Sequence, residues 1–248
     1  MTVLRTLVFW AFTAIWSLVV LGLAAVASLL TFGLLRHRLI TIVGPLYGRP
    51  CLWVAGIRLA VTGKEHLAQP AERVVVFNHG SFLEVLLMPA LGIPRWTFMA
   101  KRSFIFIPVM GQAMWLLGGH FVDRGNRKKA VSSIKRLGAE LRKHKLTTLV
   151  APEGTRSRTG ALQPFKMGAF HMALDTGAPM VPMVVHGVHQ LLRPDDWQVR
   201  SGTVHVDIHP PIDTSDWSRR TLRGHRDALH ADYERWLDEG PIRSPASG

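Results

Sequence analysis

The chain has 248 residues and 48% apolar content, which is enough for one sizeable core and an appended segment. Its 30 lysines and arginines outnumber its 17 aspartates and glutamates, and the resulting net charge of +13 indicates a polyanionic partner such as an anionic membrane, a phosphorylated substrate or nucleic acid. The single cysteine, Cys51, excludes an intramolecular disulfide.

The first predicted element is a long apolar segment. Residues 6–35 carry no charged side chain, and a membrane span needs only about 20 apolar residues. The segment can therefore cross the bilayer, tilt within it or fold back as a helical hairpin. Residues 25–27 resemble a signal-peptide cleavage site, but apolar sequence continues to Leu35, where a secreted protein should become polar. We therefore expect a retained membrane anchor.

Four arginines follow the anchor, at positions 36, 38, 49 and 58, whereas only Arg5 and the amino terminus precede it. The positive-inside tendency then places the C-terminal part in the cytoplasm. A second apolar stretch, residues 39–60, is interrupted by glycines and prolines and is expected to be interfacial or re-entrant. We divide the chain into an anchor region (1–60), a domain (61–240) and a frayed tail (241–248).

Beyond residue 61, short apolar runs alternate with helical patterns, which is typical of an α/β domain. We expect a mixed central sheet flanked by helices. The predicted strands cover residues 74–77, 93–99, a short segment before Arg124, 147–151, 180–186 and 202–209. The predicted helices cover a segment from about Ser81, a segment after Lys101, and residues 126–145, 165–176 and 217–237. Pro182 argues for a bulge or an edge position of its strand.

The most informative stretch begins where the strand at 74–77 ends, at Asn78 and His79. On a continuous helix, the spacing from His79 to Glu84 corresponds to a rotation of about 140°, so the two side chains meet only if His79 precedes the helix and bends back over its first turn. Glu84 would then accept a hydrogen bond from one ring nitrogen and leave the other free to take a proton. Alternatively, Ser81 and Glu84 form a capping box without a catalytic role.

A second informative stretch follows the predicted strand at 147–151. Gly154, Thr155 and Arg156 combine a flexible backbone, a hydroxyl and a guanidinium, and this combination suits a phosphate group. The lysine of a nucleotide-binding P-loop is missing, so nucleotide hydrolysis is not indicated. The alternative is a surface turn in which Glu153 pairs with Arg156 for structural reasons.

Further candidate residues are more dispersed. Lys101 and Arg124 lie near predicted ends of strands or helices, where ligands of α/β sheets collect. His205, Asp207 and His209 would share one face of a strand and could mimic metal ligands, but no further ligand is evident. We therefore expect no metal site.

Together, these residues resemble the four motifs of the 1-acyl-glycerol-3-phosphate (lysophosphatidate) acyltransferase family of glycerolipid acyltransferases. Residues 78–84 resemble the first motif, 101–124 the second, 153–157 the third and 181–187 the fourth. The resemblance covers about residues 61–211. The first motif normally ends in aspartate, so Glu84 keeps the carboxylate but changes its reach, and the helix start has to adjust.

The resemblance implies an enzyme that moves an acyl group from a thioester, acyl-CoA or acyl-carrier protein, to the sn-2 hydroxyl of lysophosphatidate. It implies that His79 is the general base and that Glu84 orients it. The residues that it implies for substrate binding are Lys101, Arg124, Glu153, Gly154, Thr155 and Arg156. It implies no cofactor besides the acyl thioester as co-substrate.

Three alternatives remain open at this point. The acceptor could be another lysolipid such as a lyso-ornithine lipid, or the protein could bind anionic lipid without catalysis. A nucleic-acid binder is suggested by charge alone, and it leaves the apolar N-terminus unexplained. The expected partners are the lysophospholipid, the acyl thioester, acyl-carrier protein and an anionic membrane, and no nucleic acid. The expected location is the cytoplasmic membrane, with the catalytic domain facing the cytoplasm.

Overall fold

The computed structural model describes residues 2–108, 110–123, 125 and 127–242. Arg124 and residues 243–248, the greater part of the predicted tail, lie outside the described residues. The elements within them are α1 (Thr2–Leu30), α2 (Arg36–Val54), β1 (Ile57–Thr62), β2 (Arg73–Phe77), α3 (Glu84–Ala90), β3 (Trp96–Lys101), α4 (Met110–Leu116), β4 (His120–Val122), α5 (Arg127–His144), β5 (Thr147–Val150), α6 (Gly168–Thr176), β6 (Met180–His186), α7 (Val188–Leu191), β7 (Gly202–Ile208) and α8 (Leu222–Glu239). Two 3-10 turns, Lys64–Leu67 and Arg102–Phe106, complete the described elements.

The seven strands form one sheet in the order β1-β7-β6-β2-β5-β3-β4. The β6–β7 pair is antiparallel and the other described pairs are parallel, so the expected mixed sheet flanked by helices is confirmed. The β2 strand lies at the centre, and Val74, Val75 and Val76 are fully buried. A short run of β-branched residues suits this position because a central parallel strand is covered on both faces. The carboxyl ends of β2, β5 and β3 consequently lie at one edge of the sheet.

Helix α5 follows the predicted amphipathic pattern. Leu137 and Leu141 are fully buried, whereas its basic residues are largely on the outer face, as an apolar stripe of helical period requires. Helix α6 begins at Gly168, later than predicted, and ends at Gly177, whose φ of +71° closes the helix in the left-handed conformation.

Two element boundaries differ from the prediction. Strand β3 covers Trp96–Lys101 instead of residues 93–99. The preceding Arg95 has a φ of +47°, a turn conformation that cannot belong to an extended strand. Helix α3 begins at Glu84, three residues after Ser81.

Of the bulge or edge position predicted for Pro182, the edge position is wrong, because β6 lies between β7 and β2. The Pro182 carbonyl accepts a hydrogen bond from the His209 amide at 2.9 Å, just beyond the last β6–β7 pair. The nitrogen of a strand residue faces the same neighbour as its carbonyl, so the proline lacks its N–H at a place where the regular ladder has ended. An interior strand therefore tolerates it.

Helices α1 and α2 form an antiparallel hairpin. The Trp16 indole donates a hydrogen bond at 3.0 Å to a main-chain carbonyl of α2, and the hydroxyls of Ser17 and Tyr47 are 3.1 Å apart. Helix α2 packs closely on α3 at Gly48, where an added Cβ would lie 2.3 Å from the Leu86 carbonyl oxygen. The glycine is needed for this approach. Residues 6–30 of the apolar segment form one continuous helix, so the segment does not fold back on itself, and the hairpin forms between this helix and α2. That the segment crosses the bilayer or tilts within it stays a prediction.

The hairpin lies against the α/β domain along its length. Near the start of α1, the Val199 amide donates to the Thr6 hydroxyl at 3.2 Å. Near its end, the Ser28 hydroxyl donates to the Leu116 carbonyl of α4 at 2.8 Å. Both ends of α1 therefore contact the same domain, and the helix does not project away from it.

Candidate active site

The turn between β2 and α3 brings His79 and Glu84 together. Nδ1 of His79 contacts Oε2 of Glu84 directly. His79 precedes the helix and Glu84 is its first residue, so the chain bends back in the way that their spacing required. Because an ionised carboxylate can only accept, this contact favours the tautomer that has its proton on Nδ1 and leaves Nε2 as an acceptor. The imidazole is 24% exposed, whereas the carboxylate is only 3% exposed.

Glu84 also makes the contacts of a helix cap. Its Oε1 accepts hydrogen bonds from the amides of Gly80 at 2.7 Å and Ser81 at 2.9 Å. The capping interpretation and the catalytic interpretation are therefore not alternatives, because one oxygen binds the backbone and the other binds the imidazole. The backbone contacts hold the carboxylate in place, and this in turn orients the His79 ring.

The backbone at His79 is held from two neighbouring segments. The Asn78 side chain pairs with the main chain of Val185 in β6, donating to its carbonyl at 2.9 Å and accepting from its amide at 2.8 Å. The His79 carbonyl accepts from the Ser157 amide at 2.8 Å. The ring therefore extends from a rigid turn between β6 and the loop that follows β5.

Glu153 provides a third restraint on this turn. Its Oε1 accepts from the His79 amide at 2.5 Å, and its Oε2 accepts from the Gln163 amide at 2.9 Å. The residue is 2% exposed. Both of its oxygens bind main-chain amides and neither pairs with Arg156, so the structural ion pair considered for this turn is not formed. Sequence reasoning placed Glu153 among the substrate ligands, but the structure places it beneath the His79 turn, outside the cavity lining.

Burial raises the pKa of Glu153 to about 7, against the lowering influence of its two backbone hydrogen bonds. A carboxyl group whose pKa is raised on folding stabilises the protein below its unfolded value of 4.5, and this contribution is lost as the pH rises through 7. We expect the free energy of unfolding, relative to Glu153→Gln, to fall by about 3 kcal/mol between these pH values. Denaturant unfolding of both proteins from pH 4.5 to pH 8 measures the difference. Parallel profiles would contradict it.

A cavity of about 730 Å³ opens beside His79 and Glu84. This volume is in the range of small-molecule sites, about 300–1,000 Å³. Most of its wall is apolar, and the hairpin contributes to it through Leu21, Val43 and Tyr47. The remaining wall carries polar groups of the β3 end and of the loop after β5. The cavity therefore combines a mainly apolar wall with a polar part that includes the imidazole.

Three cations line the polar part of this cavity: Lys101, Arg156 and Lys166. Gly154 and Thr155 line it as well. Within the described part of the chain, none of the three cations forms a salt bridge. Their charges are thus available to an anion that enters the cavity.

Sequence reasoning missed Lys166 because it lay within a predicted helix. The residue precedes α6, and its ammonium group lies over Gly154, where an added Cβ would be 2.7 Å from Nζ. The φ of Gly154 is +72°, so this position favours glycine on both conformational and steric grounds. No local motif marks Lys166, which is recognisable only from its contact with the loop.

The remaining predicted candidates lie elsewhere. Arg124 is outside the described residues, so its role stays a prediction. Asp207 accepts a hydrogen bond from the Thr62 hydroxyl at 2.5 Å and lies 3.1 Å from the His186 ring nitrogen. His209 stacks on Trp236 with ring centroids 3.7 Å apart. These groups join β1, β6, β7 and α8 in the interior.

Comparison with known proteins shows the family of the chain. A protein-family model described as "Acyltransferase" matches residues 58–186. The 1-acyl-sn-glycerol-3-phosphate acyltransferase of Cocos nucifera is 34% identical over 228 residues, covering 92% of this chain and 71% of the relative. The enzyme of the same name from Salmonella typhimurium is 32% identical over 178 residues, which are 71% of this chain and 72% of the relative.

The fold has a solved counterpart. The crystal structure of the 1-acyl-sn-glycerophosphate acyltransferase from Thermotoga maritima superposes with a TM-score of 0.79, at 23% identity, and covers 98% of both chains. At this identity the likeness establishes the fold alone.

Proposed function

The chain belongs to the acyltransferase family as a 1-acyl-sn-glycerol-3-phosphate acyltransferase, and on this premise we propose that His79 is its general base and Glu84 the residue that orients it. The observation that carries the proposal is the contact between His79 Nδ1 and Glu84 Oε2 at the polar end of an apolar cavity. The substrate pair is a lysophosphatidate and an acyl thioester, and the product is phosphatidic acid.

The reaction begins when Nε2 of His79 takes the proton of the sn-2 hydroxyl. The hydroxyl oxygen forms a bond to the thioester carbonyl carbon, and the resulting tetrahedral intermediate expels the thiolate. The imidazolium then returns its proton to that thiolate, so the residue is regenerated. The buried Glu84 carboxylate stabilises the imidazolium and keeps the proton of the resting ring on Nδ1. The exchange balances with the two substrates alone, in keeping with the expectation that no cofactor takes part.

The acceptor phosphate binds between Arg156, Lys101 and Lys166 in this proposal. Gly154 and Thr155 complete the cradle with a backbone that can approach the oxygens closely and with a hydroxyl. The guanidinium of Arg156 can bind two phosphate oxygens at once. Fixing the phosphate holds the sn-2 hydroxyl near His79, and such positioning contributes much of the rate gain in two-substrate reactions.

Glu153 has a positioning role in this scheme. Its carboxylate accepts a hydrogen bond from the His79 amide and does not line the cavity. Glu153 therefore fixes the position of the turn that carries the imidazole.

The hairpin explains how lipid reaches the site. Among the described residues, one helix, Val3–Leu30, is long and apolar enough to cross a membrane. Since both of its ends contact the α/β domain, we infer that it lies within one leaflet and does not span the bilayer. Its outward face carries exposed apolar side chains, including Leu4, Ile15, Leu23 and Leu30. Acyl tails can then pass from the leaflet into the cavity without full exposure to water, which would cost about 0.8 kcal/mol per CH₂.

A position of α1 within one leaflet agrees with the expected location at the cytoplasmic membrane, where acyl-CoA or acyl-carrier protein is available as the donor. Flotation with phospholipid vesicles tests the membrane association. Recovery of the whole protein in the lipid-free fraction would contradict it.

The activity itself is tested by product analysis. The purified protein is incubated in mixed micelles with acyl-CoA and either lysophosphatidate or a lyso-ornithine lipid. We expect phosphatidic acid from the first mixture. Acylation of the lyso-ornithine lipid alone would show that the acceptor assignment is wrong.

Arg156→Gln is expected to raise the KM for lysophosphatidate at least about tenfold, because a charge-assisted bond to the phosphate is lost. The kcat should change less, since the residue does not contact the reacting atoms in this scheme. Steady-state kinetics with varied lysophosphatidate measures both constants. Arg158→Gln is the matched control, because Arg158 is exposed, lies two residues away and does not line the cavity. Equal KM values for the two variants would exclude Arg156 from phosphate binding.

A further inference from the structure

A second pocket is lined by residues that follow β3, by β4 and the residue after it, and by helix α5. It has a volume of about 430 Å³, and its polar lining includes Arg102, Lys129, Arg136, Ser132 and Ser133. We call it the outer basic pocket. Three cations and two hydroxyls around one concavity are the groups that bind phosphate oxygens.

The outer basic pocket and the catalytic cavity have no lining residue in common, but residues adjacent along the chain line the two. Lys101 and Val122 line the catalytic cavity, whereas their neighbours Arg102 and Phe121 line the outer basic pocket. Phe121 and Val122 are successive residues of β4, and successive side chains of a strand point to opposite faces, so β4 forms a wall shared by the two. A ligand in the outer basic pocket is therefore close to the catalytic cavity without occupying it.

The positive charge of the pocket is only partly balanced. One carboxylate, Asp123, belongs to the lining, and its Oδ1 accepts a hydrogen bond from the Gly125 amide at 3.1 Å. Within the described residues, Arg102 and Arg136 take part in no salt bridge. The Arg136 guanidinium instead lies 3.4 Å from the buried Ser133 hydroxyl. The arrangement favours an anion from outside the chain.

The rim of the pocket is apolar and exposed. Phe106, which lines the pocket, is 75% exposed, and the adjacent Ile107 is 38% exposed. On α4, which packs against α1, Trp115 is 59% exposed. Exposed apolar residues thus lie in and next to the pocket, and α4 connects this region to the helix that the proposed function places in the membrane.

From this we infer that the outer basic pocket is a second phosphate-binding site, in addition to the cradle for the acceptor. Two kinds of molecule could supply the phosphate group that binds in this pocket. One is the phosphate groups of a CoA-type acyl donor, whose thioester would lie in the adjacent cavity; this source rests on the proposed function. The other is the headgroup phosphate of an anionic membrane lipid, which would fix the depth of the protein at the surface.

The test compares Arg102→Gln/Arg136→Gln with Lys135→Gln/Lys143→Gln in the full-length protein. Both pairs remove two charges and both control lysines are exposed on α5 outside the pocket, so general electrostatic effects are matched. One arm measures the affinity of free CoA in detergent micelles, with 3′-dephospho-CoA as the comparison. The other arm measures flotation with phosphatidylcholine vesicles that contain or lack phosphatidylglycerol.

A donor site predicts that the pocket variant binds CoA at least about tenfold more weakly than the control pair does. A lipid site predicts an equal loss in binding to phosphatidylglycerol vesicles, with unchanged affinity for CoA and for phosphatidylcholine vesicles. If the two variants behave alike in both arms, the inference is overturned. Because both arms measure binding, an absence of acyl transfer in the wild-type protein would overturn the proposed function separately.

Discussion

His79→Ala is expected to lower the kcat for acyl transfer by roughly 10²–10⁴-fold, the usual contribution of a general base. In the proposed mechanism Nε2 of His79 is the acceptor that the contact with Glu84 leaves free, and His79 lines the cavity. The truncation should leave the fold intact, because the imidazole is partly exposed and the turn is held by the main chain. Association with vesicles should remain as in the wild-type protein, since the hairpin is untouched.

The measurement is the rate of phosphatidic acid formation at saturating lysophosphatidate and acyl-CoA. His171→Ala is the control, because His171 is exposed on α6 and does not line the cavity. If His79→Ala and His171→Ala have similar rates, His79 does not act in the chemical step.

The second large effect is expected for Glu84→Gln, again as a fall in kcat of about 10²–10⁴-fold with little change in KM. In the wild-type protein, Oε1 accepts from two backbone amides and Oε2 contacts Nδ1 of His79. A glutamine keeps only one oxygen. If that oxygen stays on the amides, the NH₂ group faces Nδ1 as a donor and forces the ring proton onto Nε2. The ring is then in the tautomer that cannot take a proton from the acceptor.

Nitrogen NMR of labelled histidine distinguishes this explanation from simple unfolding, because it reports which ring nitrogen carries the proton. We expect the His79 proton on Nδ1 in the wild-type protein and on Nε2 in Glu84→Gln. Glu84→Asp keeps a carboxylate that is one methylene shorter, and it should recover part of the activity. A Glu84→Gln protein with the wild-type tautomer and wild-type kcat would exclude Glu84 as the orienting residue.

The main features of the fold were predictable because they depend on local patterns. The β-branched run at 74–77 predicted a buried strand, and the apolar period of α5 predicted a helix with one face in the core. Gly177 correctly marked the end of α6. The misplaced features depended on single backbone conformations or on neighbours: Arg95 delayed β3, and the end of the β6–β7 ladder allowed Pro182 inside the sheet.

The candidate site was predictable to a lesser extent. The spacing of His79 and Glu84 required that His79 precede the helix if the two side chains were to meet. In the structure His79 does precede the helix, and the two side chains are in contact. Glu153 illustrates the limit, since its position in a phosphate-binding pattern suggested a substrate ligand. Its actual partner, the amide of His79, is 74 residues away along the chain. The residue types within one loop give no information about a partner so far away along the chain.

The amino-acid sequence by itself determined the strand, turn and helix that carry His79, the apolar anchor and the basic loop after β5, because hydrophobic period and turn chemistry act over a few neighbouring residues. Only the tertiary structure decided that one oxygen of Glu84 binds the backbone and the other contacts the imidazole. It also decided that Lys166 lines the cavity and that the anchor helix packs along the domain. These features arise where elements distant along the chain are packed side by side, and their geometry depends on the strand order of the sheet and on close packing between helices.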